Sequence, residues 1–490
     1  MTIWLRTALL LVVAIIVFVN TDRWFSVVDD ETTIVDAAHH PVIDTVRSFL
    51  YVQAAYEHTP LFDILLHCWM PIGGGAKWSI RLPSVLFYLL GLLILALAAR
   101  KLAGDSAFTS LICIGLLWPF GFHFGRMIGW YSFCFFLVAA VTWSYLHYLE
   151  RPVWPRLATF VMAALVLVYS NFYGWVIVGC LAIDLSVIRR HRDAKKFLAA
   201  TFGTLIILYA PVWMAFMNEV ENGVQIAGQP LVPRILNSIY NFYSLFVSES
   251  VAPWFWYLSI PASLGIAGSI FLAMVLLSKE DRRFLIYFFI LFGGTVISGI
   301  INTKRLLFIS DWLLLSFAVA LANTERKRLR NLLMLMLAFV AAIGWAGIAE
   351  RKHYSAQHFI EPWAEIADQA AASMKNGGVI ISNSQSFLFN VNYALQRMDG
   401  ASKPIVITVE RWANAVPPGQ SSVLFVRGVN NSLTEQTEQV EAWLHSHCSL
   451  SSAHNLVPDS GYDLKSRFFK GYGQVPFRIS LQQYQCGSKE

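Results

Sequence analysis

The chain has 490 residues, 56% hydrophobic and only 14% charged, with a formal net charge of +6 at pH 7 and a mean hydropathy of +0.53. Soluble domains carry closer to about a quarter charged residues, so the composition excludes an ordinary soluble protein. The positive charge lies in short clusters between apolar runs, which excludes a nucleic-acid-binding face as its origin.

Apolar runs suited to crossing about 30 Å of hydrocarbon as helices fall near residues 4–21, 82–99, 106–122, 127–148, 157–171, 173–188, 197–217, 253–277, 284–301, 306–322 and 331–349. The first run is followed by Asn20, Thr21 and Asp22 rather than a small-residue cleavage pattern, so it reads as a retained span. One set of loops is basic: Arg100–Lys101, Arg151 and Arg156, Arg189 to Lys196, Lys279 with Arg282–Arg283, and Arg326 to Arg330. The opposite set has little between the fifth and sixth spans, only Arg234 in the long loop after the seventh, and Lys304–Arg305. The first set is therefore cytoplasmic, and the parity of the spans places residues 350–490 outside. The sequence thus predicts a polytopic α-helical membrane protein of about eleven transmembrane helices, residues 1–349, with a C-terminal extracytoplasmic α/β domain, residues 350–490.

The outer segment 22–81 is long for a loop in a compact fold, and such loops usually carry function. It reads as amphipathic helices at Thr32–His39, Ile43–Tyr56 and Pro60–Met70, with Pro41 and Pro60 between them and Trp69 and Trp78 suited to the interface. It opens on Asp29-Asp30-Glu31. Adjacent carboxylates near a low-dielectric phase have raised pKa values, which suits a general base. A solvated turn leading into a helix N-terminus fits the same residues. On the same side, Arg81 opens the second span, Arg126 the fourth and Lys304–Arg305 the tenth. Snorkelling explains single cations at membrane ends. Their recurrence where positive-inside bias would remove them fits a phosphate site. A carboxylate base beside a cationic cradle points to attack of an acceptor hydroxyl on a sugar carried by a polyprenyl phosphate. No Gly-rich phosphate loop, CxxC pair or HExxH motif is present, and no metal ligand set is assigned, although a divalent ion stays open.

Asp30-Glu31, then His58-Thr59-Pro60-Leu61-Phe62, then Arg81-Leu82-Pro83-Ser84 resembles the bacterial branch of the protein O-mannosyltransferase family. That branch belongs to the GT-C glycosyltransferases and includes the lipid A aminoarabinose and galacturonic acid transferases. Arg126 before Tyr131, Lys304-Arg305-Leu306, and Pro362-Trp363 with Ile366-Ala367 resemble later motifs of the family. The resemblance implies a GT-C-like fold and an inverting transferase at the outer face of the bacterial inner membrane. Its donor would be a polyprenyl-phosphate sugar and its acceptor lipid A, a glycan or a protein. Asp30 would be the base, with Asp29 and Glu31 beside it. His58, Arg81, Arg126, Tyr131, Lys304 and Arg305 would bind substrate. Thr59 departs from the family's first proline, and Asn171 stands in the Tyr-Ser-Asn-Phe-Tyr turn where histidine is frequent. A polysaccharide ligase or polymerase, a transporter and a membrane scaffold are the rival readings.

Beyond residue 361 the pattern alternates between helix and strand. Pro362–Lys375 and Leu433–Cys448 carry helical periodicity, while Val379–Ser382, Pro404–Val409, Ser422–Arg427 and Phe477–Tyr484 read as strands. Cys448 and Cys486 suggest a disulfide in an oxidising compartment.

Overall fold

The computed structural model describes residues 3–22, 25, 29–51, 60–217, 231–298, 303–323, 325–350, 363–375, 377–396, 403–412, 422–428, 434–457 and 479–486. The chain forms two compact units. One is Met1–Asp22 with Ile34–Tyr354, and the other is Arg23–Thr33 with Ser355–Glu490.

The first unit is helical. Among the described residues each apolar run holds helix, and five helices are long and apolar enough to cross a membrane by length and composition. Large apolar side chains stand exposed on their outer faces, including Ile207 at 72%, Leu264 at 68% and Phe271 at 67%. In water such a belt would be a liability, whereas hydrocarbon accepts it. Lys77–Leu117 is one 41-residue element, about twice the length a bilayer needs. Its helix breaks at Ala103 (φ −144°) and Gly104 (φ 76°). The halves fold back on each other: the Tyr88 hydroxyl donates to the Gly115 carbonyl at 2.7 Å. A Cβ on Gly115 would stand 2.3 Å from Leu92 Cδ2, so a larger residue there would have to push the Leu92 side chain aside. The reversal makes two spans from one element, as the runs 82–99 and 106–122 anticipate.

The outer segment is helical at Asp29–His39, Val42–Tyr51 and Leu61–Gly73. The consecutive acids therefore form the first turn of a helix rather than a free loop, and Glu31 is buried. Residues 218–252 lack a continuous apolar run and read as a loop in the sequence. The structure forms a helix at Leu231–Val247. Its polar positions, Ser238, Asn241 and Ser244, are buried alongside Tyr240 and Leu245, so tertiary partners rather than length stabilise it.

At the basic end, Asp184 joins three helices. Tyr145 and Tyr287 donate hydroxyls to it at 2.5 and 2.7 Å. Arg189 Nε donates at 3.1 Å, and Arg283 Nε stands at 3.7 Å. Burying a carboxylate is costly unless partners of this kind meet it.

The second unit is built on a five-stranded sheet of order β2-β1-β3-β5-β4, with β1 Val379–Ser382, β2 Ile405–Thr408, β3 Ser422–Arg427, β4 Ser449–Val457 and β5 Ile479–Gln485. β1 pairs in parallel with β2 and β3, and β5 pairs antiparallel with β3 and β4. Alternation along β1 divides the core. Ile380 faces the helices Trp363–Ser373 and Gln385–Gln396, with Trp363, Phe387 and Leu424. Val379 and Ile381 face the helix Thr434–His447, with Phe425, Val440 and Tyr484. Burial on both faces explains the continuous apolar runs of β1 and β3. Cys448, at the end of that last helix, is disulfide-bonded to Cys486, just past β5, with a Cα–Cα distance of 4.2 Å.

The Asp184 cluster predicts a stability effect. Asp184→Ala leaves Arg283 and two tyrosines without their shared acceptor, and loss of one partner from a buried pair costs about 3–5 kcal/mol. Thermal unfolding of detergent-solubilised protein should show a clear drop in Tm, and an unchanged Tm would contradict the assignment.

Candidate active site

The first apolar helix, Ile3–Asn20, ends in the dipeptide Thr21-Asp22. Asp22 is buried, and its Oδ1 accepts from Arg81 Nη1 at 2.9 Å, with the two side chains 10% and 3% exposed. Arg81 lies on the second turn of the helix that begins at Lys77. A buried ion pair of this kind offsets two desolvation costs that neither group could bear alone.

Arg126 is 2% exposed and follows the short helix Pro119–Phe124. Its Nε donates to the Phe122 carbonyl at 3.1 Å and its Nη1 to Thr21 Oγ1 at 3.0 Å. The guanidinium lies over the rings of Phe122 and Phe18 at 4.0 and 4.9 Å. Cation–π contact suits arginine, whose planar and weakly hydrated head tolerates desolvation better than an ammonium. Thr21 and Asp22 thus hold Arg126 and Arg81 from one end of the first span.

His123 stands among these charges. Burial pushes its pKa well below the ordinary histidine value; Glu249 opposes that shift, and Arg126 and Arg81 add to it. The ring Nδ1 lies 3.3 Å from the Ser248 hydroxyl. Ser248 and Glu249 have φ of 65° and 57°. Consecutive left-handed non-glycine residues cost on the order of 1–3 kcal/mol each. Glu249 Oε1 accepts from the Thr303 hydroxyl at 2.8 Å, and Asn241 Oδ1 lies 2.5 Å from the same hydroxyl. One hydroxyl proton cannot serve both oxygens. The Asn241 amide turned over, with its NH2 donating to Thr303, satisfies all three groups.

Thr303 opens the 3-10 turn Thr303–Arg305, in which Thr303 and Arg305 are buried and Lys304 is half-buried. The turn leads into the helix Leu306–Ile309. Phe308 packs at 5.7 Å from Trp130 and 6.2 Å from Tyr173. Trp130 in turn lies 4.4 Å from Tyr131, which is buried. Asp311 follows, fully buried, and neither carboxylate oxygen has a hydrogen-bond partner among the described residues.

The structure therefore brings Arg81 and Arg126 together around His123, and connects the turn bearing Lys304 and Arg305 to that same group through Glu249. Tyr131 lies beside them in the packing. Asp29, Asp30 and Glu31 sit on the first turn of the helix Asp29–His39, in the unit that includes the C-terminal domain. The side chains of Asp29 and Asp30, and the whole of His58, lie outside the described residues. Among the described residues, no three His, Cys, Asp or Glu side chains gather as a metal site. Sequence reasoning missed Asp22, His123, Ser248 and Glu249. In the sequence Asp22 is one polar residue after an apolar run, and the turn is marked by an acid flanked by serines after an aromatic run, as in Val247-Ser248-Glu249-Ser250.

No family model and no curated protein matches the chain. Solved structures do. ArnT from Cupriavidus metallidurans in the apo state superposes with a TM-score of 0.56 at 12% identity, covering 97% of each chain. The same ArnT bound to undecaprenyl phosphate gives 0.54 at 14% identity, covering 98% of each chain. The Archaeoglobus fulgidus oligosaccharyltransferase gives a TM-score of 0.45 at 11% identity, over 85% of this chain and 67% of that one. The chain has the fold of ArnT over nearly its whole length, in keeping with the family resemblance of the motifs around Arg81, Arg126 and Lys304–Arg305.

His123 makes the fold acid-sensitive. Its folded pKa lies below its unfolded value near 6.5. The neutral ring therefore contributes its full stability above that value, and the contribution is lost as pH falls below it, at up to about 1.4 kcal/mol per pH unit. Between pH 7 and 5, the Tm of wild-type protein should fall more steeply than that of His123→Gln. Parallel curves would contradict the assignment.

Proposed function

We propose that the chain is a membrane glycosyltransferase that moves a sugar from a polyprenyl-phosphate donor to an acceptor hydroxyl at the outer face of the bacterial inner membrane. The observation that carries this reading is the gathering of Arg81, Arg126, Arg305 and Lys304 in a helical unit with the fold of ArnT, a protein also solved with undecaprenyl phosphate bound. Fold alone does not fix function, so the weight rests on the cations. Guanidinium groups suit phosphate oxygens, and their contacts strengthen as charge builds on a departing phosphate.

In the proposed step the acceptor oxygen attacks the anomeric carbon, and its proton passes to Asp30. The bond from that carbon to the phosphate oxygen breaks, and polyprenyl phosphate leaves with the electron pair. Displacement from the opposite face inverts the anomeric centre. Asp29, Glu31 and His58 would orient the base or the sugar, and Tyr131 would border the donor. Lipid A, a glycan and a protein are the candidate acceptors, and the C-terminal unit would be periplasmic. No metal is assigned a role.

A transporter is the second reading, and Asp311 is the observation that favours it: an ionisable residue inside a span is commonly part of a pathway. Movement of a lipid-linked sugar across reconstituted vesicles without sugar transfer would support it.

The test is transfer from a polyprenyl-phosphate sugar by purified protein whose folding is checked by thermal unfolding. Asp30→Asn should lower turnover by on the order of 10²–10⁴-fold. Arg305→Ala removes a charge-assisted contact worth about 1.5–3 kcal/mol, and should lower kcat/KM for the donor by roughly ten- to hundredfold. Near-normal turnover in both Asp30→Asn and Asp29→Asn would end the carboxylate mechanism.

A further inference from the structure

The turn after the helix Leu231–Val247 is held from three sides. Ser248 and Glu249 are in left-handed backbone, with φ of 65° and 57°, which L-residues keep only when their surroundings compel it. The Ser248 amide donates to the Ser244 carbonyl at 2.6 Å. The Ser248 hydroxyl meets His123 at 3.3 Å, three residues before Arg126. Glu249 accepts from Thr303 at 2.8 Å, one residue before Lys304. The Ser250 hydroxyl donates to the Gly344 carbonyl at 2.8 Å on the helix Lys327–Glu350. There a Cβ on Gly347 would stand 2.5 Å from the Ser250 carbonyl oxygen, so the turn is seated with no slack. Continued right-handed helix would carry residue 249 along the helix axis, and two left-handed residues instead end the helix at this turn.

We propose that Glu249 is a positioning residue, one that fixes the Lys304–Arg305 turn against the Arg126 segment by holding Thr303. The inference rests on the reading in which these cations hold a lipid phosphate. A carboxylate near an anion site is electrostatically unfavourable for the anion, so a direct charge role and a positioning role differ in sign. Removing the charge alone would tighten anion binding. Removing the acceptor leaves the Thr303 hydroxyl with Asn241 alone, loosens the 303–305 turn and weakens binding.

The probe is undecaprenyl phosphate, titrated onto the purified full chain in detergent. Glu249→Ala should weaken its binding by roughly tenfold, and Glu249→Gln, which keeps an acceptor oxygen for Thr303, should retain wild-type affinity or better. Thr303→Val, close to isosteric, keeps the Glu249 charge and should weaken binding at least as much as Glu249→Ala, and the double variant should lose no more than Thr303→Val. If Glu249→Ala does not fold, Thr303→Val decides. Additive losses, or wild-type affinity in Glu249→Ala or Thr303→Val, overturn the positioning role alone. Folded wild-type protein that binds no undecaprenyl phosphate overturns the functional reading and this inference with it.

Discussion

A guanidinium taken out of water costs several kcal/mol unless its charge and its donors are met inside the protein. This chain buries Arg81, Arg126 and Arg305 in its helical unit. Much of the architecture around them serves that constraint. The first span ends where Asp22 can receive Arg81 and Thr21 can receive Arg126. The short helix Pro119–Phe124 supplies a carbonyl and a ring face to Arg126, and its His123 is held neutral between cations and Glu249.

Under the proposed function, Arg81, Arg126, Lys304 and Arg305 serve a charge that changes during the reaction. A phosphate gains negative charge as it departs from a sugar, and fixed cations lower the energy of that charge more than that of the bound donor. Groups set in place before the reaction need no reorganisation when the charge develops. The strained turn at Ser248–Glu249 and the aromatic contacts of Phe308 with Trp130 and Tyr173 are the means by which the scaffold keeps them in place.

The parts legible in the sequence were those with a period or a broken rule. Apolar runs marked the spans, and short continuous β-branched runs marked β1 and β3. Arg81, Arg126 and Lys304–Arg305 stood out because positive-inside bias predicts their absence. Asp22 and Glu249 break no such rule, since an acid in an outer loop is unremarkable, and only tertiary contact turns each into a partner. The helix Leu231–Val247 escaped notice because Ser238, Asn241 and Ser244 interrupt its apolar stripe, and their burial depends on neighbours far away in sequence. β4 escaped for a similar reason. Its Ser-rich run Ser449–Val457 has little strand propensity and is held by pairing with β5. The helix Gln385–Gln396 went unread because it follows β1 after a gap too short to show a change of period.

If the buried cations recognise a lipid-borne phosphate, charge on the lipid decides its affinity. Binding of undecaprenyl phosphate is compared with that of undecaprenol, which has the same chain and no charge, to the full-length protein in detergent at low and high salt. The phosphate should bind at least roughly tenfold tighter, and salt should narrow the gap only in part, because buried pairs are weakly screened. Equal affinity for the two lipids would contradict phosphate recognition.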